Sequence, residues 1–189
     1  MRYILPVKSG HLSPDILTCK AAQVMRRYLY HPSLPLLQSA ATLATRGYIT
    51  QVASLHFDNL DISLVPAEDM ASLVKCVSNN VAITRVHGDL TPVLSNVKCT
   101  ELKIIDRSLS TNDTQNLVAA MATRVEVVEL GAEVTLDMET LAQYDGKGEC
   151  EEVWMFEDTG DWYRQPVKVW ALNMGWEIKD RPTWIALNR

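Results

Sequence analysis

Six short runs with an apolar-x-apolar core return along this chain at nearly regular steps, and few folds accommodate such a pattern. The runs occupy residues 52–60, 81–86, 100–105, 125–130, 151–156 and 176–179. Their first core positions, which advance in steps of 26, 21, 26, 25 and 23 residues, are Leu55, Val81, Leu102, Val128, Val153 and Trp176. Because side chains alternate along a strand, each run predicts a strand with one buried face.

The segments between these runs carry helix-start signals. Pro66 precedes Glu68 and Asp69, which suit the positive end of a helix, and Ser110 with Asp113 has the spacing of a capping box. One strand and one helix in each period of about 20–29 residues is the pattern of a leucine-rich repeat.

Over roughly residues 50–180 the chain resembles a leucine-rich-repeat solenoid of the long-repeat kind found in intracellular receptors and in ribonuclease inhibitor. The family pattern is L-x-x-L-x-L-x-x-N/C-x-L, and the first unit supplies Val52, Leu55, Phe57 and Ile62 at its apolar positions. The Asn or Cys position of the pattern is instead held by Leu60, Val86, Arg107, Glu133 and Asp158. The resemblance implies an α/β solenoid of about five to six strand–helix units with a parallel sheet, in which another arrangement satisfies the backbone groups at the turn.

A solenoid needs a cap at each end, and the two ends of the chain differ from its middle. Residues 1–50 predict a helical N-terminal cap, with one helix from Pro14 to about Tyr30 and another from about Leu36 to Arg46. Residues 51–189 predict the repeats and a C-terminal cap, so that the whole chain is one continuous domain. The cap is rich in tryptophan, since the last 36 residues hold Trp154, Trp162, Trp170, Trp176 and Trp184.

Composition excludes several classes of protein. Hydrophobic residues make up 47% of the 189 residues and the formal net charge is −5, which argues against disorder, a nucleic-acid partner and a membrane partner. The sequence shows neither a signal peptide nor a membrane-spanning run, so we expect a cytoplasmic protein. The four cysteines lack C-x-x-C spacing, and we expect Cys99 and Cys150 to fill equivalent buried positions.

The sequence offers no motif for chemistry. The histidines lack zinc-site spacing, there is no phosphate-binding glycine loop, and Ser108 and Ser110 lack a G-x-S-x-G context. We therefore expect no catalytic residue, metal or cofactor, and a protein that is not an enzyme.

The residues that alternate with the core positions should point away from the helices and form a rigid surface. The early units place small and polar residues there, and the late units place charged and aromatic ones, as in the binding hot spots of protein interfaces. The sequence therefore predicts a protein-binding module whose candidate contact residues are His56, Lys103, Glu129, Glu152, Trp154 and Phe156.

Three alternatives stay open. The C-terminal segment could cover Trp154 and Phe156, or an open end of the solenoid could make the chain a homo-oligomer. Alternating strands and helices also occur in doubly wound α/β enzymes, whose cleft would lie near Asp58, Asp106 and Asp158.

Overall fold

The computed structural model describes residues 28–105, 108–131, 134–144, 148–156, 161–181 and 184–189. These residues form an α/β fold with an eight-stranded, mostly parallel sheet and six α-helices. The strands are β1 (Tyr28–Tyr30), β2 (Val52–Asp58), β3 (Val77–Thr84), β4 (Cys99–Ile105), β5 (Val125–Leu130), β6 (Glu152–Phe156), β7 (Glu177–Arg181) and β8 (Trp184–Asn188). The helices are α1 (Leu34–Thr45), α2 (Ala67–Lys75), α3 (Thr91–Leu94), α4 (Thr111–Thr123), α5 (Met138–Leu141) and α6 (Asp161–Asn173).

The sheet is open, and its strands follow the order β1-β2-β3-β4-β5-β6-β8-β7. Strands β1 to β6 are parallel neighbours in chain order, whereas β8 runs antiparallel to both β6 and β7. A doubly wound sheet needs a point at which the order of its parallel strands reverses, and the described strands contain no such reversal. Asp106 and Asp158, two residues of that alternative cleft, lie outside the described residues.

The register expected from the repeated runs is confirmed. Leu55 pairs with Val81, Val81 with Leu102, Leu102 with Val128 and Val128 with Val153. All five side chains are buried, as are the second core positions two residues further on, which are Phe57, Ile83, Ile104, Leu130 and Met155. Alternation along each strand therefore gives the sheet one continuous apolar face, which we call the inner face.

The helices cover this inner face as a single layer. Each of α1 to α4 packs against the next helix along the chain, and their buried side chains join those of the sheet in one hydrophobic cluster. The capping box predicted at Ser110 is confirmed: its hydroxyl accepts a hydrogen bond from the Asp113 amide, and the Asp113 carboxylate accepts one from the Ser110 amide. This cap satisfies amide groups that the first turn of α4 would otherwise leave unpaired.

Backbone pairing takes the place of the missing Asn or Cys side chains after the strands. The His87 amide donates to the Leu60 carbonyl at 2.8 Å, and the Ile62 amide donates to the His87 carbonyl at 3.0 Å. A second parallel bridge, Ser108 with Thr135, recurs further along the sheet. These short ladders satisfy polar groups at the turn without the same side-chain type in each unit. Arg107, Glu133 and Asp158 lie outside the described residues.

Two predictions at the ends of the chain are wrong. The helix predicted from Pro14 to about Tyr30 is wrong at its end, because Tyr28–Tyr30 form β1 and pair in parallel with β2; the rest of the predicted range lies outside the described residues. The run at 176–179 is not a sixth parallel strand. All of it except Trp176 lies in β7, at the antiparallel edge of the sheet. The sequence analysis missed β8, which separates β7 from β6.

None of the helices in the described part of the chain combines the length and the apolar character needed to cross a membrane.

Candidate functional site

The side of the sheet opposite the helices, which we call the outer face, brings side chains from all eight strands into rows. One row, which runs across the strands at a single register level, contains Tyr30, His56, Ala82, Lys103, Glu129, Trp154, Ala186 and Lys179. The row beside it contains Tyr28, Ser54, Asn80, Glu101, Val127, Glu152, Asn188 and Glu177. Most of these side chains keep some contact with solvent.

The structure brings the predicted contact residues together on this face. His56, Lys103, Glu129 and Trp154 share the first row, and Glu152 lies in the second. Phe156 belongs to β6 and its backbone pairs with Trp184, but its side chain lies outside the described part of the structure.

An aromatic cluster lies at the amino-terminal end of the outer face. The rings of Tyr28 and Tyr30 are stacked, with centroids 5.4 Å apart, and the rings of Tyr30 and His56 form a T-shaped contact with centroids 4.3 Å apart. Both tyrosines are about half exposed, at 55% and 51%. Large aromatic rings held at an open surface are typical anchors of protein interfaces.

A chain of polar contacts links this cluster to the middle of the face. The Asn80 amide nitrogen donates to Glu101 Oε2 at 2.8 Å, so the Asn80 oxygen faces His56 Nε2 at 2.9 Å. Because that oxygen only accepts, His56 must carry its proton on Nε2 when it is neutral. Partial burial lowers the pKa of His56 below its ordinary value of 6.5 and so favours this neutral form.

The middle of the face is acidic and contains an ion pair. The Lys103 ammonium group contacts Glu129 Oε2 at 2.5 Å, while their side chains remain 36% and 22% exposed. Glu101 and Glu152 flank Val127 on the two neighbouring strands, and within the described residues their hydrogen-bond donors are neutral side chains. The centre therefore carries more negative than positive charge.

An indole pair lies at the carboxyl-terminal end of the face. The ring centroids of Trp154 and Trp184 are 4.9 Å apart, and Trp154 Nε1 donates to Glu152 Oε2 at 2.8 Å. Trp184 comes from the last strand, so the C-terminal segment does contact Trp154, yet it leaves both rings partly exposed.

Two of the other tryptophans of the C-terminal segment lie in the core. Trp170 and Trp176 are buried on the helical side, 5.8 Å apart. The side chain of Trp162 lies outside the described part. The tryptophan-rich segment thus contributes to both sides of the sheet. Trp154 and Trp184 lie on the outer face, and Trp170 and Trp176 lie in the core on the helical side.

The described cysteines are buried or half-buried thiols, as expected. Cys99 and Cys150 occupy equivalent positions, and each Sγ lies near the carbonyl oxygen two residues further on. Burial raises the pKa of Cys99 to about 12 and that of Cys150 to about 12, and it also raises the pKa of Cys76. These groups are therefore protonated at neutral pH, a poor state for nucleophilic or metal-binding chemistry.

A groove lies at the amino ends of the strands. This groove has a volume of about 640 Å³, and it is lined by charges of both signs, including Lys75, Lys98, Arg124, Glu126 and Glu149. Arg124 already donates from Nη1 to the Ser95 carbonyl. The mixture of charges gives the groove no clear preference for a ligand.

Several residues of the outer face were missed or undervalued by sequence reasoning. Tyr28 and Tyr30 were assigned to a helix, and Trp184 was assigned to a cap. The signal for Trp184 was present, because Ile185 and Leu187 alternate with Trp184, Ala186 and Asn188 in the manner of a half-buried strand. Asn80 and Glu101 were expected to face outward, but their bond to each other follows only from the observed register.

Within the described ranges, no group of three His, Cys, Asp or Glu side chains is placed to hold a metal ion. No family model, curated protein or solved structure matches this chain.

Proposed function

We propose that this chain is a degenerate leucine-rich-repeat solenoid that acts as a non-enzymatic protein-binding module, with the outer face as its docking surface. The parallel strands follow chain order, and each turns back through one helix on the same side of the sheet, which is how a solenoid of strand–helix units is built.

The observation that carries this proposal is a sheet with one face buried under helices and the other left open with ordered side chains. Cross-strand hydrogen bonds fix His56, Asn80 and Glu101, and Trp154 is fixed by its hydrogen bond to Glu152 and its ring contact with Trp184. Side chains that are already held in place lose little conformational entropy on binding. A rigid face of this kind favours recognition of another macromolecule over catalysis.

The dimensions of the outer face suit a protein partner. Strands β1 and β6 are separated by five intervals of about 4.8 Å, so the two aromatic ends lie about 24 Å apart. A standard protein interface buries about 800 Å² on each partner, and the breadth of such an area is comparable with the distance between the two aromatic ends. The two aromatic ends would serve as anchors, with the polar middle setting orientation.

The test captures partners from a cell lysate on the full chain and identifies them by mass spectrometry. The wild type is compared with an outer-face variant that carries Tyr30→Ala and Trp154→Ala. The matched control carries Tyr48→Ala and Leu172→Ala, which remove two side chains that are 55% and 63% exposed elsewhere. We expect a partner that the wild type and the control retain and the outer-face variant loses by about tenfold or more. Equal retention by both variants would exclude the outer face as the docking surface.

The β7 edge of the sheet does not favour self-association. Strand β7 carries Glu177, Lys179 and Asp180 along its length, and charged side chains on an edge strand oppose pairing with a second copy. Light scattering at rising concentration tests this expectation: a constant monomer mass agrees with it, and a concentration-dependent dimer contradicts it.

A further inference from the structure

The charge and aromatic character of the outer face indicate what kind of partner it binds. Around Val127, Glu101 approaches from β4, Glu152 from β6 and Glu129 from the same strand. Lys103 compensates Glu129, whereas within the described residues the Asn80 amide and the Trp154 indole, both neutral, are the donors to the other two carboxylates. Among the described side chains, the centre of the face thus holds two carboxylates, Glu101 and Glu152, whose hydrogen-bond donors carry no charge.

We infer that the outer face docks a basic protein segment, with an arginine or lysine side chain over Val127 between Glu101 and Glu152 and against the Trp154 indole. This inference rests on the proposed function and names the partner class for the same surface. It is an argument from charge complementarity, which sets specificity and association rate at protein interfaces.

The geometry admits one cationic side chain at this place. Glu101 and Glu152 project from strands that are two intervals apart, about 10 Å between backbones, and the shorter side chain of Val127 belongs to the strand between them. A guanidinium group that enters there reaches a carboxylate on either side. Its planar face would also meet an indole ring, an arrangement that favours arginine.

The bond from Trp154 Nε1 to Glu152 supports this arrangement. It fixes the indole beside the carboxylate, and the contact with Trp184 at 4.9 Å limits the rotation of the ring. An aromatic ring next to an acid offers a cation both a charged partner and a π face. An acidic or uncharged segment would leave the two carboxylates without that compensation.

The experiment uses immobilised twelve-residue peptides of three kinds, arginine-rich, glutamate-rich and uncharged, and the full chain in solution. The test variant carries Glu101→Gln and Glu152→Gln, which keep the acceptors for Asn80 and Trp154 but remove both charges. The control carries Glu68→Gln and Glu139→Gln, which make the same change in net charge at exposed positions of the helical layer.

We expect the arginine-rich peptides to be retained by the wild type and by the control, and the test variant to bind them about tenfold more weakly. Retention should also fall for Trp154→Ala, which removes the indole while leaving both carboxylates.

The failures of the two proposals are distinguishable. Peptides that bind through Trp154 and Tyr30 but ignore the glutamine substitutions would overturn the basic partner and leave the docking face intact. Preference for glutamate-rich or uncharged peptides, or no retention of arginine-rich peptides, would overturn the basic partner as well. A partner captured equally by the wild type and the outer-face variant would overturn the docking face itself.

Discussion

Along β4, Leu102 and Ile104 point to the helices and are fully buried, whereas Glu101 and Lys103 point away from them and keep contact with solvent. The inner face is held together by close packing of apolar side chains, which has little directional preference. The outer face is held together by specific pairs: an amide with a carboxylate, an ammonium group with a carboxylate, and two indoles.

The difference indicates which face is free to carry function. A substitution on the inner face changes the packing of several elements at once, so stability constrains which residue type each inner-face position can hold. A substitution on the outer face alters one or two pairs that contribute little to stability. The outer face can therefore vary to suit a partner while the inner face preserves the fold.

The largest effect is expected for Ile104→Ala on the inner face. Ile104 pairs with Ile83 and Leu130 on its two neighbouring strands, and all three are buried. Removing its side chain should lower the free energy of unfolding by about 2–5 kcal/mol, through lost burial and the cavity left behind. Urea denaturation followed by circular dichroism measures this loss.

The matched control is Lys103→Ala on the same strand and the opposite face, which should cost less than about 1 kcal/mol. Equal losses for the two variants would show that the outer face is packed as heavily as the inner one, and the distinction between the faces would fail.

The alternation that separates the two faces was predictable, and so was the register of β2 to β6. Each run carries two apolar positions two residues apart, and burial of one face fixes how neighbouring strands align. Leu55, Val81 and Leu102 therefore meet as the spacing predicts. The strand at Tyr28–Tyr30 was not predictable in the same way, because three residues are too few to show a period.

A smaller effect is expected for the indole pair. A double-mutant cycle with Trp154→Ala and Trp184→Ala should give a coupling energy of about 0.5–1.5 kcal/mol, the usual value for an aromatic pair beyond its buried area. Chemical denaturation of the two single variants and the double variant provides the cycle. A coupling near zero would mean that the 4.9 Å contact does not stabilise the protein.

The partners of the outer face could not be predicted from sequence because they lie on different strands. Asn80 and Glu101 are separated by 21 residues, and Lys103 and Glu129 by 26. Alternation predicts that each side chain points outward, but the choice of partner depends on lateral alignment and rotamer. The same limit applies to Trp184. It lies beside Trp154 because β8 pairs antiparallel with β6, and the spacing of the repeats does not predict that pairing.

The Lys103–Glu129 pair should contribute less again. Both side chains are partly exposed, so solvent screens their attraction, and a cycle with Lys103→Ala and Glu129→Ala should give about 0.2–1 kcal/mol. The coupling should fall further at high salt, which screens exposed charges. A coupling that is larger than this range and insensitive to salt would mean that the pair is shielded from solvent, contrary to the open face described above.

The smallest effect concerns His56 and depends on pH. Burial lowers its pKa in the folded protein below 6.5, the value expected when the chain is unfolded. Between these two pKa values the unfolded chain binds a proton more readily, so the stability contributed by neutral His56 is fully present above 6.5 and is lost as pH falls through the folded pKa. The stability difference between the wild type and His56→Gln should therefore shift against the wild type from about pH 8 to about pH 5, as urea midpoints would show. A difference that stays constant across that range would mean that His56 is as well hydrated in the folded protein as in the unfolded chain. The surface around His56 would then be freely solvated and not half-buried.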